Sequence, residues 1–427
     1  MKIDFKKLPR GQAEITIELA PNEYQPFLEQ AAKQISETTK ISGFRPGKAN
    51  FEIIKQKVGL AEIWEKAIEP AVKKTLFKAI NDNHLITIGS PQIEIIKLAP
   101  DNPVIYQAKI SLLPEVELGD YQQIKVARKK IEVSEQEVQK ALTNLQKMRA
   151  KEILVDRPAK SGDKVEIDFE TFLDKIPVSQ GKQQKFPLVI GENAFIPGFE
   201  DQLIGLTKNQ TKEFSLKFPE NYHQKNLAGR LVDFKVKLNA VYQLDLPELN
   251  DELAKSFGTS KTMAEFKNEI RQKLQTEAES RQARETENEL IDKIIEQSKF
   301  TDIPDFLVDS ETKKMVDELE YNLTAQGLKF EDYLNHLKKS RADLLLDLAP
   351  QAMKRVKSAL VLRRVGKDKN IEVSNQEIDL EIKNTLAAYV GNSEIEKNLQ
   401  QPAYRDYLKN VIASRKVLDY IKSVTVK

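Results

Sequence analysis

The sequence predicts an α+β multidomain protein, and three observations carry that expectation. Its 427 residues, at roughly 150 per domain, make about three domains. The apolar periodicity changes along the chain, from mixed strand and helix patterns to strict alternation and then to helical stripes. Gly162, Gly181, Gly191, Gly198, Gly205 and Gly229 punctuate the alternating stretch as turns between strands would. The expected division is an α+β domain over 1–115 and a linker with a connecting helix over 116–150, packing with the C-terminal region. A compact β-rich domain over 151–245 and a mostly helical domain with arms over 246–427 follow.

Ala13–Leu19 alternates apolar and polar residues, the mark of a half-buried strand. From Tyr24 to Thr39 the spacing of Phe27, Leu28, Ala31 and Ile35 is helical. Ser42–Lys48 holds too much Gly and Pro for a helix, and a second helical stretch runs from Asn50 to Asn83, with breaks expected near Gly59 and Pro70. Gln92–Leu98 and Val104–Leu113 read as extended. At Val133–Val138, Ser134 and Glu137 form a capping box with Val133 and Val138 as the staple, and Val373–Ile378 repeats it. The repeat is either the same capping chemistry arrived at twice or a sign of two similar helical arms.

Lys164–Phe169, Phe186–Ile190, Thr211–Phe218 and Leu231–Tyr242 read as strands, with one short helix near Phe199–Ile204. Met263, Phe266, Ile270 and Leu274 make an apolar stripe that vanishes over Gln275–Glu289, which predicts a solvent-bridging arm. Pro304 suits the first position of a helix that Gly327 ends. Later helices are expected over Arg341–Val365, kinked at Pro350, over Glu377–Val390 and over Tyr404–Lys422. Apolar stripes around Leu319–Leu323, Phe330–Leu337 and Leu344–Leu348 fit either an exposed groove or ordinary helix packing.

Composition narrows the chemistry. With 67 Lys+Arg against 65 Asp+Glu the net charge is +2, so polyanion binding over the whole surface is not expected, although a local basic site is. No cysteine is present, and His84, His223 and His336 have no ligand spacing. Thiol catalysis, disulfides and Cys- or His-built metal sites are therefore not expected. The opening MKIDFKKLPRGQ lacks the apolar run of a secretory signal, and no stretch approaches 18 apolar residues. A soluble, cytoplasmic protein is the expectation.

The sharpest local feature is Gly43-Phe44-Arg45-Pro46-Gly47-Lys48. Pro46 and Gly47 suit the two central positions of a type II turn, which presents Phe44, Arg45 and Lys48 on a rigid tip. Lys40, Arg45, Lys48, Lys55 and Lys57 face a single acid, Glu52, between residues 40 and 57. Such a tip suits docking on RNA phosphate or an acidic protein patch. The plainer alternative is an interhelical connector with Phe44 packed in the local core. A second constellation surrounds Phe195–Asp201 and Phe218–His223, in a region that also holds Phe169, Phe172, Phe186, Phe214 and Phe234. These aromatics either fill a β core or line a pocket. The prolyl amide barrier of about 18–20 kcal/mol arises from C–N resonance, so a dry aromatic pocket with one hydrogen-bond donor can favour the twisted amide without proton transfer.

On these residues the chain resembles the bacterial trigger factors, ribosome-associated chaperones, along its whole length. Gly43-Phe44-Arg45-Pro46-Gly47-Lys48 is similar to their ribosome-docking signature, which implies that Gly43, Phe44, Arg45, Pro46, Gly47 and Lys48 meet the ribosome beside the nascent-chain exit. Val189-Ile190-Gly191 and Phe195–Asp201 resemble an isomerase domain of the FK506-binding type. Matched to that motif, Phe169, Ile196, Phe199, Tyr222 and Phe234 line the catalytic pocket, and the Tyr222 hydroxyl is the donor. His223 is either part of that pocket or a polar neighbour shaping its rim. Phe199 stands where the wider isomerase class carries Trp, and Lys175–Ser179 offers no carboxylate for the pocket wall, which bears on catalytic strength. The resemblance implies no cofactor and no metal. Its implied partners are the ribosome (protein and rRNA) and nascent or unfolded polypeptides, with a homodimer as an option for the free chain. A non-catalytic chaperone or assembly factor whose isomerase-like domain only binds peptide is the alternative.

Overall fold

A computed structural model describes residues 1–427 apart from 40, 42, 43, 101, 128–130, 223, 225, 226, 259, 389–396, 398, 400, 426 and 427. The chain forms two compact units, Met1–Arg128 with Arg284–Lys427, and Lys129–Ala283.

The first unit opens with a four-stranded antiparallel sheet under three helices. In chain order these are β1 (Lys2–Leu8), β2 (Gln12–Leu19), α1 (Pro21–Thr38), α2 (Phe51–Val58), α3 (Leu60–Asp82), β3 (Thr87–Lys97) and β4 (Val104–Leu112). The sheet order is β1-β2-β4-β3. Alternation places Ala13, Ile15, Ile17 and Leu19 opposite Ile110, Ala108, Tyr106 and Val104, and all eight are buried. Leu28, Ala31 and Ile35 of α1 and Ile63, Trp64, Val72 and Leu76 of α3 close over that face. The Tyr106 hydroxyl reaches Thr75 Oγ1 at 2.7 Å, so its polar end is satisfied within the core. The expected break at Gly59 is present, with φ +88. The one expected at Pro70 is not, and α3 runs through it. Proline removes one helical hydrogen bond, but buried Ile63 and Ala67 before it and Ala71 and Leu76 after it hold the helix in register.

Strand β5 (Val116–Glu117) still belongs to the first unit. The second contains α4 (Glu135–Met148), β6 (Lys151–Val155), β7 (Lys164–Leu173), β8 (Ile176–Val189), β9 (Thr211–Lys217), β10 (Leu231–Asp245) and α5 (Asp251–Phe257). Its strands form one antiparallel sheet of order β6-β10-β7-β8, with β9 also on β10. The short helix expected near Phe199 is a 3₁₀ turn, Glu200–Leu203. The capping box at α4 is formed: Ser134 Oγ accepts the Glu137 N–H at 3.3 Å and Glu137 Oε2 accepts the Ser134 N–H at 2.8 Å. Val138 and Leu142 of α4 pack with Ala254, Phe266 and Ile270.

Helix α6 (Met263–Gln297) belongs to the second unit up to Ala283 and to the first from Arg284. Most residues of the expected arm Gln275–Glu289 are exposed, as the vanished stripe predicts, but Thr286 within it is buried. Then come β11 (Lys299–Phe300), which pairs with β5, and α7 (Asp305–Ala325), α8 (Phe330–Leu337), α9 (Arg341–Asp368), α10 (Asn375–Ala388) and α11 (Pro402–Thr425). Pro304 is the cap residue of α7 rather than its first helical residue, and α9 is one continuous helix through Pro350. The expected helix residues 389 and 390 lie outside the described residues. The second capping box is also formed, with Ser374 Oγ accepting the Glu377 N–H at 3.3 Å and Glu377 Oε2 accepting the Ser374 N–H at 2.9 Å.

Candidate functional site: an aromatic pocket and a basic tip

The tip is built on buried anchors. Ile41 before it and Ile54 after it are buried in the first core, each burial contributing about 1.5–3 kcal/mol. Between them, the Lys48 N–H donates to the Arg45 carbonyl at 3.0 Å and Gly47 has φ +74, so Arg45–Lys48 is the expected turn. The Gly47 N–H also donates to the Ser36 carbonyl at 3.0 Å, which pins the turn to the end of α1. Phe44 is 41% exposed, and Arg45, Pro46 and Lys48 are exposed with it. The connector alternative, with Phe44 packed in the core, is therefore not what the fold does. Gly43 and Lys40 lie outside the described residues.

In the second unit, Phe169, Ile196, Phe199, Tyr222 and Phe234 all join one apolar cluster. Residues 196–199 repeat the turn of the tip: the Phe199 N–H donates to the Ile196 carbonyl at 3.1 Å and Gly198 has φ +83. Both loops thus use Pro-Gly at the centre of a tight turn to hold an aromatic at its edge, Phe44 before one and Phe199 at the end of the other. Phe199 is the hub. Its ring centroid lies 6.1 Å from that of Phe169, 5.2 Å from Phe234, 5.4 Å from Phe214 and 4.2 Å from Phe195. Most of these pairs are edge-to-face, the arrangement that aromatic quadrupoles favour. Tyr222 enters through Phe218, edge-on at 4.6 Å. Burial raises the Tyr222 hydroxyl above its ordinary pKa, which already leaves it a protonated donor at neutral pH. His223 lies outside the described residues.

Phe199 and Phe234 are 0% and 2% exposed, so both belong to the core of this cluster rather than to its accessible side. Partly exposed Phe195, Phe186 and Tyr222 reach the surface. Phe195, to which motif matching gave no role, sits among these rings: it meets Phe169, Phe186, Phe199 and Phe234. A second omission is Glu200. Its buried carboxylate accepts backbone N–H groups of Gly191 at 2.7 Å, Asn193 at 2.9 Å, Ala194 at 2.7 Å and Phe195 at 3.4 Å, and so holds the loop that carries Phe195. The signal available was an acid directly after the apolar run Phe195–Phe199.

Apolar stripes of the helical region close mostly on one another. Val316, Leu323, Phe330 and Leu344 are buried together with Leu319, Leu334 and Leu348 against them. Arg341 fastens this cluster by bonds to Asp317 at 2.6 Å and Glu320 at 2.7 Å. Tyr321, Leu328, Leu337 and Leu346 remain exposed. No helix among the described residues is long and apolar enough to cross a membrane.

A Pro-Gly turn delivering Phe199 into a dry aromatic cluster over an antiparallel sheet, with a tyrosine at the rim, defines an isomerase domain of the FK506-binding class. Residues 155–239 match the family of FKBP-type peptidyl-prolyl cis-trans isomerases. Residues 1–145 match the bacterial trigger factor protein, and 262–423 match the C-terminus of that protein. The chain is 33% identical to the trigger factor of Agathobacter rectalis, over 99% of this chain and 95% of that one. It is 34% identical to that of Thermoanaerobacter sp. (strain X514), over 99% and 98%. The chain belongs to the bacterial trigger factor family, ribosome-associated chaperones with an FKBP-type isomerase domain. A solved structure concerned with promiscuous substrate recognition in folding and assembly by the trigger factor chaperone is 22% identical, covers 99% of both chains and has a TM-score of 0.48.

Proposed function

We propose that this chaperone catalyses cis–trans isomerisation of X-Pro bonds in nascent and unfolded chains while docked at the ribosome through Phe44, Arg45 and Lys48. The observation that carries the catalytic reading is the dry cluster around Phe199, with the Tyr222 hydroxyl kept protonated at its edge. Phe169, Ile196 and Phe195 hold the proline ring away from water, and the tyrosine donates to the carbonyl of the amide as it twists. The twisted amide has lost its resonance and its charge separation, so an apolar pocket binds it better than it binds the planar one. Docking falls to 1–115, connection to 116–150, isomerisation to 151–245 and chain binding to 246–427, in the cytoplasm.

Phe199→Ala combined with Tyr222→Phe tests it. Acceleration of a proline-limited refolding reaction is expected to fall at least about tenfold, since a positioned donor and the ring packing behind it are both removed, while suppression of aggregation persists. If the folded double variant still accelerates refolding as the parent does, the catalytic assignment is wrong and the domain only binds peptide.

A further inference from the structure

Strand β7 lies between two strands that are irregular within two residues of each other along it. On the β8 side the register passes from Ile167↔Phe186 to Phe169↔Gln183, so Asp168 alone faces Gln184 and Lys185. On the β10 side it passes from Leu238↔Ile167 to Ala240↔Glu166, leaving Asn239 as an extra residue. Each is a β-bulge, a device that bends a strand and re-aims its side chains. One carboxylate oxygen serves both. Asp168 Oδ1 accepts the Lys185 backbone N–H at 2.7 Å and the Asn239 side-chain amide at 2.7 Å.

Lys185 has φ +52, a left-handed conformation that a lysine adopts only when something holds it. The residues beside these three are pocket residues. Phe169 follows Asp168 and Phe186 follows Lys185, and their rings meet edge-on at 5.7 Å. Both also pack on Phe195, at 5.3 Å and 6.0 Å. The same two bonds, led by that from Lys185, hold the Asp168 carboxyl below its ordinary range, so the acceptor is charged at neutral pH.

We propose that Asp168 is a positioning residue for isomerisation: by bonding the two bulge residues Lys185 and Asn239 it sets the angle between Phe169 and Phe186 at the pocket wall. It touches no substrate and acts through the strands that carry the aromatics. The proposal rests on the isomerase reading of this pocket, and the measurements separate the two.

The full chain is compared with Asp168→Ala, Asp168→Asn, Asn239→Ala and the double variant Asp168→Ala/Lys185→Gly. Catalysis of proline-limited refolding, exchange of the residue-185 amide and NMR shifts of the Phe169 and Phe186 rings are read on each. Asp168→Ala is expected to lower kcat/KM about tenfold, mainly through kcat, the scale on which small displacements of reacting groups act. Asp168→Asn keeps a neutral acceptor oxygen and should stay within about twofold to threefold of the parent. Lys185→Gly should return much of the Asp168→Ala loss, because glycine adopts positive φ unaided. A uniform structural defect would not be rescued that way.

Equal kcat/KM in the parent and a folded Asp168→Ala chain overturns the proposal, as does loss without rescue by Lys185→Gly. Should Asp168→Ala not fold, Asn239→Ala decides: a lowered kcat with shifted Phe169 and Phe186 signals supports the proposal, and unchanged signals overturn it. Should the parent itself lack catalysis, the isomerase reading fails instead. The placement of the rings is then judged by their shifts alone, and unchanged shifts in Asp168→Ala overturn it.

Discussion

Glu200 Oε1 accepts the Ala194 N–H at 2.7 Å, from a carboxylate that is 5% exposed. An acid so placed serves as an internal terminus for a loop, gathering N–H groups that no strand partner takes up. Replacing one oxygen by an amide NH2 sets donor against donor. Glu200→Gln is therefore expected to cost about 1–3 kcal/mol, measured as a lower unfolding transition for the isomerase domain by calorimetry. An unchanged transition would mean that the loop is held by its apolar contacts alone.

The turn at Arg45–Lys48 depends on Gly47. A Cβ there would meet only the Glu37 side chain, at 3.0 Å, so space is not the obstacle. The positive φ is. Gly47→Ala should destabilise the tip by about 1–2 kcal/mol and speed exchange of the Lys48 amide, whereas Gly47→Asn should be milder. Equal exchange in all three chains would sink this account.

Docking can be divided by salt. Binding to ribosomes, followed by co-sedimentation over a salt series, should weaken in both Arg45→Ala and Phe44→Ala. Only the first should flatten the log–log salt dependence, by roughly one unit for each phosphate that is no longer neutralised. A slope unchanged by Arg45→Ala would place the guanidinium on protein rather than on RNA.

Glu377 joins α10 to α11. Its carboxylate bonds Lys416 at 2.9 Å and the Ser374 N–H at 2.9 Å, which together bring its pKa to about 2. The folded value lies below the unfolded one, so this contribution is complete above about pH 4.5 and is lost as pH falls toward about 2. A carboxyl NMR titration should find that midpoint near 2 and find it raised in Lys416→Met. An equal midpoint in both chains would show that Lys416 plays no part.

Features decided within a few residues were legible in the sequence. The two capping boxes, the Arg45–Lys48 turn and the β2 and β4 alternation each depend on local spacing, and each is present where the spacing put it. Elements that depend on distant packing were not. Pro70 reads as a break because the buried neighbours that hold α3 through it are invisible in a local window. Phe195, Glu200 and Asp168 lie in stretches the sequence singles out, yet their roles were not legible for the same reason: a ring contact, a loop cradle and a bulge each need distant segments at once. The stripes around Leu319 and Leu344 fitted both exposure and packing, and the contact of α7 with α8 and α9 decides for packing at most of their residues.

The single tryptophan of the chain, Trp64, is 6% exposed and lies 4.8 Å from the Tyr24 ring, in the core that carries the tip. Intrinsic emission excited at the indole band therefore watches one core and is blind to the others. Denaturation followed by that light charts the melting of the core that carries the Arg45–Lys48 turn. The molecule carries its own optical label, set into the part proposed to dock.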